Sequence, residues 1–103
     1  MPAVDVFTAI ANPVRRALLD ALRPGPLAVH QLLDDFAISR PAVSQHLRVL
    51  RDADLVVEER VGRERHYRLR PERLRDVTNW LAHYEQFWTT RLTALRDLLD
   101  EQP

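Results

Sequence analysis

Apolar residues recur at helical spacing along residues 39–51, and this segment has a clear helix start. Ser39 is a suitable N-cap, and Pro41 follows in the first turn, where its missing N–H costs nothing. One face can pack inward, and it carries Val43, Leu47 and Leu50. The opposite face is polar and basic and has no acid: Arg40, Ser44, Gln45, His46, Arg48 and Arg51. We refer to this segment as the polar-basic helix.

Three shorter helices are predicted before it. The first covers residues 3–11, and Asn12-Pro13 then marks a cap and the start of the second. The third covers residues 28–36, and residues 37–39 form a turn into the polar-basic helix. Two short helices joined by so tight a turn, the second polar and basic outside, form a helix-turn-helix pattern.

A β-hairpin is predicted after the polar-basic helix, which should end near Ala53, with Asp54 in the left-handed cap position. Residues 55–60 form a strand, residues 61–63 a turn and residues 64–69 the returning strand. A hairpin directly after a helix-turn-helix is the wing of a winged helix. Arginines cluster at its tip, where they can reach an adjacent minor groove or its phosphates: Arg60, Arg63 and Arg65.

The last helix is predicted from about residue 72 to residue 100, since Pro71 can restart a helix and no Pro or Gly follows in that range. About 28 residues give roughly 42 Å of helix, which is long for so small a domain. The stripe of aromatic and aliphatic side chains along this helix is wide, and its apolar surface is larger than the three short helices can cover. The sequence therefore predicts self-association through this helix and the first one. The predicted interface residues are Val4, Phe7, Ile10, Val77, Trp80, Leu81, Tyr84, Trp88, Leu92 and Leu95.

Length and composition indicate one globular domain over residues 1–103, with 46% hydrophobic and 29% charged residues. The absence of cysteine excludes disulfides and thiolate metal sites, and it suits a reducing compartment. No apolar run approaches about 18 residues and no signal-peptide pattern is present, so we expect a cytoplasmic protein without a membrane segment.

Charge is distributed unevenly, although the formal net charge is zero. All fifteen basic residues are arginine, and ten of them fall in residues 40–75 against six acids, a local excess of four. Residues 76–103 carry two arginines against five acids. This distribution, more than the total, suits contact with nucleic acid through the polar-basic helix and the hairpin.

Individual side chains suggest how DNA would be bound. Gln45 is predicted to recognise adenine, and Arg40 or Arg48 to recognise guanine. His46 has two interpretations, a DNA contact or a brace for the helix. The predicted DNA-binding residues are Ser39, Arg40, Pro41, Ser44, Gln45, His46, Arg48, Arg60, Arg63 and Arg65.

Catalytic and metal-binding chemistry finds little support. The chain has no cysteine nucleophile, no Gly-rich phosphate loop and no clustered acid–base pair, so no enzymatic activity is expected. Its four histidines form no i, i+4 pair. An intersubunit metal site using His30, His83 or Glu85 stays open, as does a small-molecule pocket among the aromatic residues of the last helix.

Three segments together resemble the ArsR-type winged-helix repressors of bacteria: Ala9 to Leu19, Ser39 to Leu50, and Leu55-Val56 with Gly62-Arg63 and Tyr67-Arg68-Leu69. The aromatic residues of the last helix resemble a branch of that family with an aromatic-rich final helix: Trp80, Tyr84, Phe87 and Trp88. The resemblance covers nearly the whole chain in order. It implies a homodimer that binds an operator and blocks transcription until a signal releases it.

Many members of that family sense metals, and the resemblance allows their ligand positions to be checked. The cysteine-bearing motif of the third helix is absent, because residues 28–36 contain no Cys. The site in the family's last helix needs an Asp, a His two residues later, and a His and a Glu thirteen and sixteen residues from the Asp. Counting from Asp76 gives Thr78, Thr89 and Leu92, none of which can serve. No metal site is therefore carried over.

The expected fold is mainly α with one β-hairpin, a winged helix-turn-helix in the order ααααββα that dimerises through its last and first helices. The expected function is that of a homodimeric repressor that binds double-stranded operator DNA with no cofactor and no direct metal sensing. Its own operon is one candidate target. Two alternatives stay open. One is a repressor that responds to a metal or small molecule, and the other is a winged-helix module that docks an acidic protein partner.

Overall fold

The computed structural model describes residues 4–101, so Ala3 of the predicted first helix lies outside the described residues. The elements are α1 (Val6–Ile10), α2 (Pro13–Ala21), β1 (Leu27–Ala28), α3 (Val29–Asp34), α4 (Arg40–Asp52), β2 (Val56–Val61), β3 (Glu64–Leu69), a 3-10 helix (Pro71–Leu74) and α5 (Arg75–Asp100). The polar-basic helix is α4, and the predicted hairpin is β2–β3. The mainly helical winged-helix architecture is thus confirmed.

Side-chain caps fix the helix starts that the sequence predicted. Asn12 Oδ1 accepts hydrogen bonds from the backbone N–H groups of Val14 and Arg15, at 2.8 and 3.2 Å. Ser39 Oγ accepts one from Ala42 N at 3.3 Å and so begins α4. Asp54 ends α4 in the left-handed region with φ 60°, as predicted, although this backbone conformation favours glycine.

The strand β1 was not predicted, and residue 28, which was assigned to the third helix, belongs to it. Leu27 pairs with Tyr67 and Ala28 with His66, which gives a three-stranded antiparallel sheet in the order β1-β3-β2. Helix α3 accordingly begins one residue later than predicted and ends at Asp34 instead of residue 36. A strand of two residues is too short to show a period of two in the sequence.

The first strand of the hairpin is shifted by one residue from its prediction, and the returning strand has the predicted bounds. Val61 belongs to β2 and pairs with Glu64, so only Gly62 and Arg63 form the turn. Gly62 has φ +63°, a conformation that glycine adopts without strain, and this allows the two-residue connection.

A single hydrophobic core joins the helices to the sheet. Its largest fully buried side chains are Leu18, Leu22, Leu32, Leu47, Leu50, Leu55 and Val43. In α1 the buried residues are Val6 and Ala9, whereas Phe7, a predicted interface residue, is 41% exposed. Tyr67 is buried and attaches β3 to this core, so α4 and the hairpin are held against the same packed centre.

Helix α5 projects from this body. Its 26 residues span about 39 Å, and none of them is buried. The first turns lie against the core through Val77, and the later turns carry large apolar side chains that are 44–66% exposed. No helix among the described residues is both long and apolar enough to cross a membrane.

Candidate nucleic-acid interface

A groove of about 350 Å³ separates α4 from the hairpin, and arginines from both elements line it. Helix α4 contributes Arg40, Ser44, Arg48 and Arg51, and the hairpin contributes Arg63 and Arg65. The helix residues fall four, four and three positions apart, so they follow one face of α4. Three of the predicted α4 residues and two of the predicted hairpin residues therefore share one surface. Arginine's planar fork suits phosphate and guanine there.

The remaining predicted residues of α4 lie beside this groove. Gln45 and Pro41 are exposed and line a neighbouring hollow with Ser44 and Arg48. Ser39 is also exposed, but its hydroxyl oxygen is occupied by capping Ala42. The outer side of α4 therefore presents amide, hydroxyl and guanidinium groups together, which is the chemistry that contacts base edges and phosphates in a major groove.

Glu58 bridges α4 and the hairpin across the groove. Its carboxylate accepts a hydrogen bond from Arg51 Nη1 at 3.0 Å, and its other oxygen lies 3.3 Å from Arg65 Nε. The hydrogen bond to Glu58 raises the pKa of Arg51. Tyr67 lies alongside, and burial, followed by the charge of Glu58, raises the pKa of its phenol. One acid thus fixes the hairpin to α4 and neutralises part of the groove's charge.

Three arginines converge at the tip of the hairpin, as the sequence predicted. Arg60 and Arg65 are directly opposite in the β2–β3 register, so both lie on the face of the hairpin that carries Tyr67. Arg63 follows Gly62 in the turn itself and is exposed. Like charges placed opposite each other repel, and Glu58 offsets the repulsion at Arg65 only. Anionic phosphates would offset it at Arg60 and Arg63.

His46 is half-buried and contacts α2, which supports its interpretation as a brace. Its Nδ1 lies 3.3 Å from Nη1 of Arg15. Partial burial, and then the positive charge of Arg15, lower the pKa of the His46 imidazole. Arg15 and Glu58 were not among the predicted site residues. Each acts through a contact between distant parts of the chain or across a strand pair, and no spacing pattern reveals such contacts.

Of the predicted interface residues, the aromatic ones form one surface, whereas Val4, Ile10 and Val77 are partly buried against the core of the same chain. Phe7 and Trp80 meet edge to face with ring centroids 5.7 Å apart, and Trp80 meets Tyr84 in the same way at 5.2 Å. Tyr84, Phe87 and Trp88 continue this surface around an open groove of about 430 Å³. Val77 and Leu81 are only half exposed, because they lie at the base of α5 near the body.

The histidines are dispersed. Among residues 4–101, no three His, Asp or Glu side chains lie close enough together to hold a metal ion. His83 Nδ1 lies 3.1 Å from the carbonyl oxygen of Trp80, one turn earlier in α5. His66 Nε2 lies 3.1 Å from Glu64 on the hairpin. Within one chain these two side chains are thus engaged by near neighbours.

Comparison with known proteins gives concordant matches. The family model of a helix-turn-helix domain matches residues 10–59. The chain is 44% identical over 96 residues to the HTH-type transcriptional regulator Rv2034 of Mycobacterium tuberculosis, covering 93% of this chain and 87% of that protein. It is 35% identical over 80 residues to the transcriptional repressor SdpR of Bacillus subtilis, covering 78% and 89%. The structure of an ArsR-like transcriptional regulator from Rhodococcus sp. RHA1 superposes with a TM-score of 0.67 at 29% identity, covering 90% and 88%.

Proposed function

The chain belongs to the ArsR/SmtB family of DNA-binding transcriptional regulators, and from that premise we propose that it is a homodimeric repressor that holds operator DNA through α4 and the β2–β3 hairpin. The observation that carries this proposal is the groove in which guanidinium groups of α4 and of the hairpin face the same space. Five arginines and one acid, Glu64, line it, and Glu58 pairs with two of those arginines. The uncompensated charge suits a polyanion.

Roles within the interface follow from position and chemistry. Gln45 is exposed on the outer side of α4 and can make the bidentate amide contact that adenine accepts. Arg40 precedes Gln45 in α4 and Arg48 follows it; both side chains are exposed and suit guanine. Arg63 at the hairpin turn suits phosphate, because it is exposed, lines the groove and takes no part in the Glu58 bridge.

The aromatic surface supports the homodimer. Phe7, Trp80, Phe87 and Trp88 are between 41 and 56% exposed, and leucines continue the apolar surface to the end of α5. Contiguous apolar patches of this kind on a small domain mark association sites. Binding to a two-fold operator requires that a second copy on this surface hold its α4 about 34 Å from the first, the distance between successive major grooves on one side of DNA.

The experiment is a gel shift with the DNA upstream of the protein's own gene and with a random duplex of equal length. Gln45→Ala should reduce discrimination between the two duplexes by about 1–3 kcal/mol, because it removes a base contact. Arg63→Ala should weaken binding to both alike and reduce the salt slope by about one. Equal effects of both substitutions would contradict this assignment. Absence of salt-sensitive binding to any duplex would favour a protein-docking module instead.

A further inference from the structure

Arg15 holds three partners at once, and they belong to two different helices. Its Nε donates to the carbonyl oxygen of Ala9 at 2.6 Å, and its Nη2 donates to that of Thr8 at 3.0 Å. Thr8 O also accepts the backbone N–H of Ala11 at 3.2 Å, and Ala9 O is one of the last four carbonyl groups, which an α-helix leaves without an intrahelical partner. Its Nη1 lies 3.3 Å from Nδ1 of His46 in α4. The guanidinium of α2 thus joins α1 to α4.

This geometry favours one tautomer of His46. A guanidinium has donors and no acceptor, so the contact is a hydrogen bond only when Nδ1 of His46 is the unprotonated nitrogen. The neutral imidazole then carries its proton on Nε2. A doubly protonated imidazole would lose the hydrogen bond and would face the guanidinium with a like charge. Arg15 is the charged side chain that acts on His46 across this contact.

The same contact connects α4 to the surface that we assign to dimerisation. Helix α1 has only five residues, and its Phe7 lies edge to face against Trp80 of α5. A displacement of α1 at that surface would therefore move Arg15, which donates hydrogen bonds to two α1 carbonyl groups. It would also move α4, which Arg15 contacts through His46. Arg16, the next residue, also donates to an α1 carbonyl, that of Ile10 at 2.7 Å. No hydrogen bond to α4 is found for Arg16 among the described residues.

We propose that Arg15 is a positioning residue that ties the end of α1 to His46 and so sets the placement of α4 on DNA. The proposal rests on the proposed function, because it assumes that α4 enters the major groove of DNA. It assigns Arg15 no contact with DNA, since three of its five N–H donors, one on each nitrogen, are already directed at partners in the protein. The planar fork is essential, because one ammonium group cannot reach all three partners.

Three variants test this proposal. Arg15→Lys keeps the charge and loses the fork, Arg15→Gln removes both, and Arg16→Gln is the matched control that loses a carbonyl contact on α1 alone. Thermal unfolding followed by circular dichroism establishes that each variant is folded at the assay temperature. Fluorescence anisotropy with the duplex from upstream of the gene then gives the affinity at several salt concentrations. A long-range proton–nitrogen NMR spectrum of the histidine-labelled free protein gives the tautomer of His46.

The expected result is that both Arg15 variants bind the duplex about five- to tenfold more weakly, with an unchanged salt slope. The spectrum should show His46 protonated on Nε2 in the wild type and in Arg16→Gln, and a mixture of tautomers in Arg15→Gln. Arg16→Gln should bind within about twofold of the wild type, given its position outside this link.

Several outcomes would overturn the proposal. Wild-type affinity in Arg15→Lys together with a reduced salt slope in Arg15→Gln would make Arg15 a phosphate contact instead. An unchanged His46 spectrum in Arg15→Gln would remove the link to α4. Should the Arg15 variants fail to fold, His46→Ala removes the acceptor from the other end and should weaken binding to the same extent. Failure of the wild type to bind any duplex would refute the proposed function alone, because the spectrum still decides on the link.

Discussion

Replacing Glu58 with glutamine separates the two roles of that side chain, because the change keeps its size and removes its charge. Glu58 forms ion pairs with Arg51 and Arg65, whose side chains are 44 and 69% exposed. Exposed ion pairs contribute about 0.2–1 kcal/mol each, so we expect the free energy of unfolding to fall by about 1 kcal/mol. The fold should therefore survive, and the effect on DNA can be measured.

The effect on DNA follows from Coulomb's law. A carboxylate about 7 Å from a phosphate costs roughly 0.6 kcal/mol at the dielectric constant of water, so two nearby phosphates give about 1 kcal/mol. Glu58→Gln should therefore bind all duplexes about fivefold more tightly at low salt, and less so as salt screens the charge. Discrimination between sequences should fall, since Arg51 and Arg65 are no longer fixed toward each other.

The matched control is Glu59→Gln. Glu59 lies one residue further along β2, on the opposite face of the hairpin, where it pairs with Arg68 at 3.2 Å. It loses the same charge and a similar ion pair, but outside the groove. Anisotropy with the upstream and random duplexes at three salt concentrations, and urea unfolding of each variant, give the required numbers. Equal effects of the two substitutions on affinity, or weaker binding of Glu58→Gln to every duplex, would refute the reasoning.

Three further predictions concern association, pH and the core. Leu92→Glu places a charge on the exposed surface of α5 and should shift the protein toward monomer in analytical ultracentrifugation without lowering its helicity; an unchanged mass would argue against that surface. Because the pKa of His46 is lowered in the folded protein, the unfolded chain takes up this proton at a higher pH than the folded one does. The stability that the neutral imidazole contributes above pH 6.5 should therefore be lost as the pH falls through the folded-state pKa. Urea midpoints at pH 7.5 and 5.5 should therefore differ less in His46→Gln than in the wild type, and an equal difference would contradict this. Leu47→Ala should lower the free energy of unfolding in urea by about 2–5 kcal/mol, since Leu47 lies on the inner face of α4 and is fully buried. A loss below about 1 kcal/mol would place the core elsewhere.

Local signals account for the parts of the fold that sequence predicted. Ser39 and Asn12 cap their helices through hydrogen bonds to residues two or three positions away, and Asp54 takes its left-handed conformation at the helix end. Such contacts depend on neighbouring residues, so spacing and residue type suffice to predict them. The same holds for the arginines of α4, because helical periodicity alone places them on one face.

Features that depend on distant contacts were missed. The two residues of β1 become a strand only because β3, about 40 residues later, offers them a partner. Arg15 was not among the predicted site residues, and its guanidinium contacts two other helices, α1 and α4. The burial of Val6 and Ala9 in α1 depends on how that short helix sits on the body, and five residues give too little periodicity to decide it.

Hydroxyl-radical footprinting on the DNA upstream of the protein's own gene tests the central claim most directly. A dimer that inserts two α4 helices and two hairpins should protect two patches about one helical turn apart, with flanking protection from the hairpins. Arg63→Ala should lose the flanking protection and keep the two central patches. A single patch, or protection that the Arg63 substitution leaves unchanged, would contradict the account of a two-fold DNA clamp built from α4 and the hairpin.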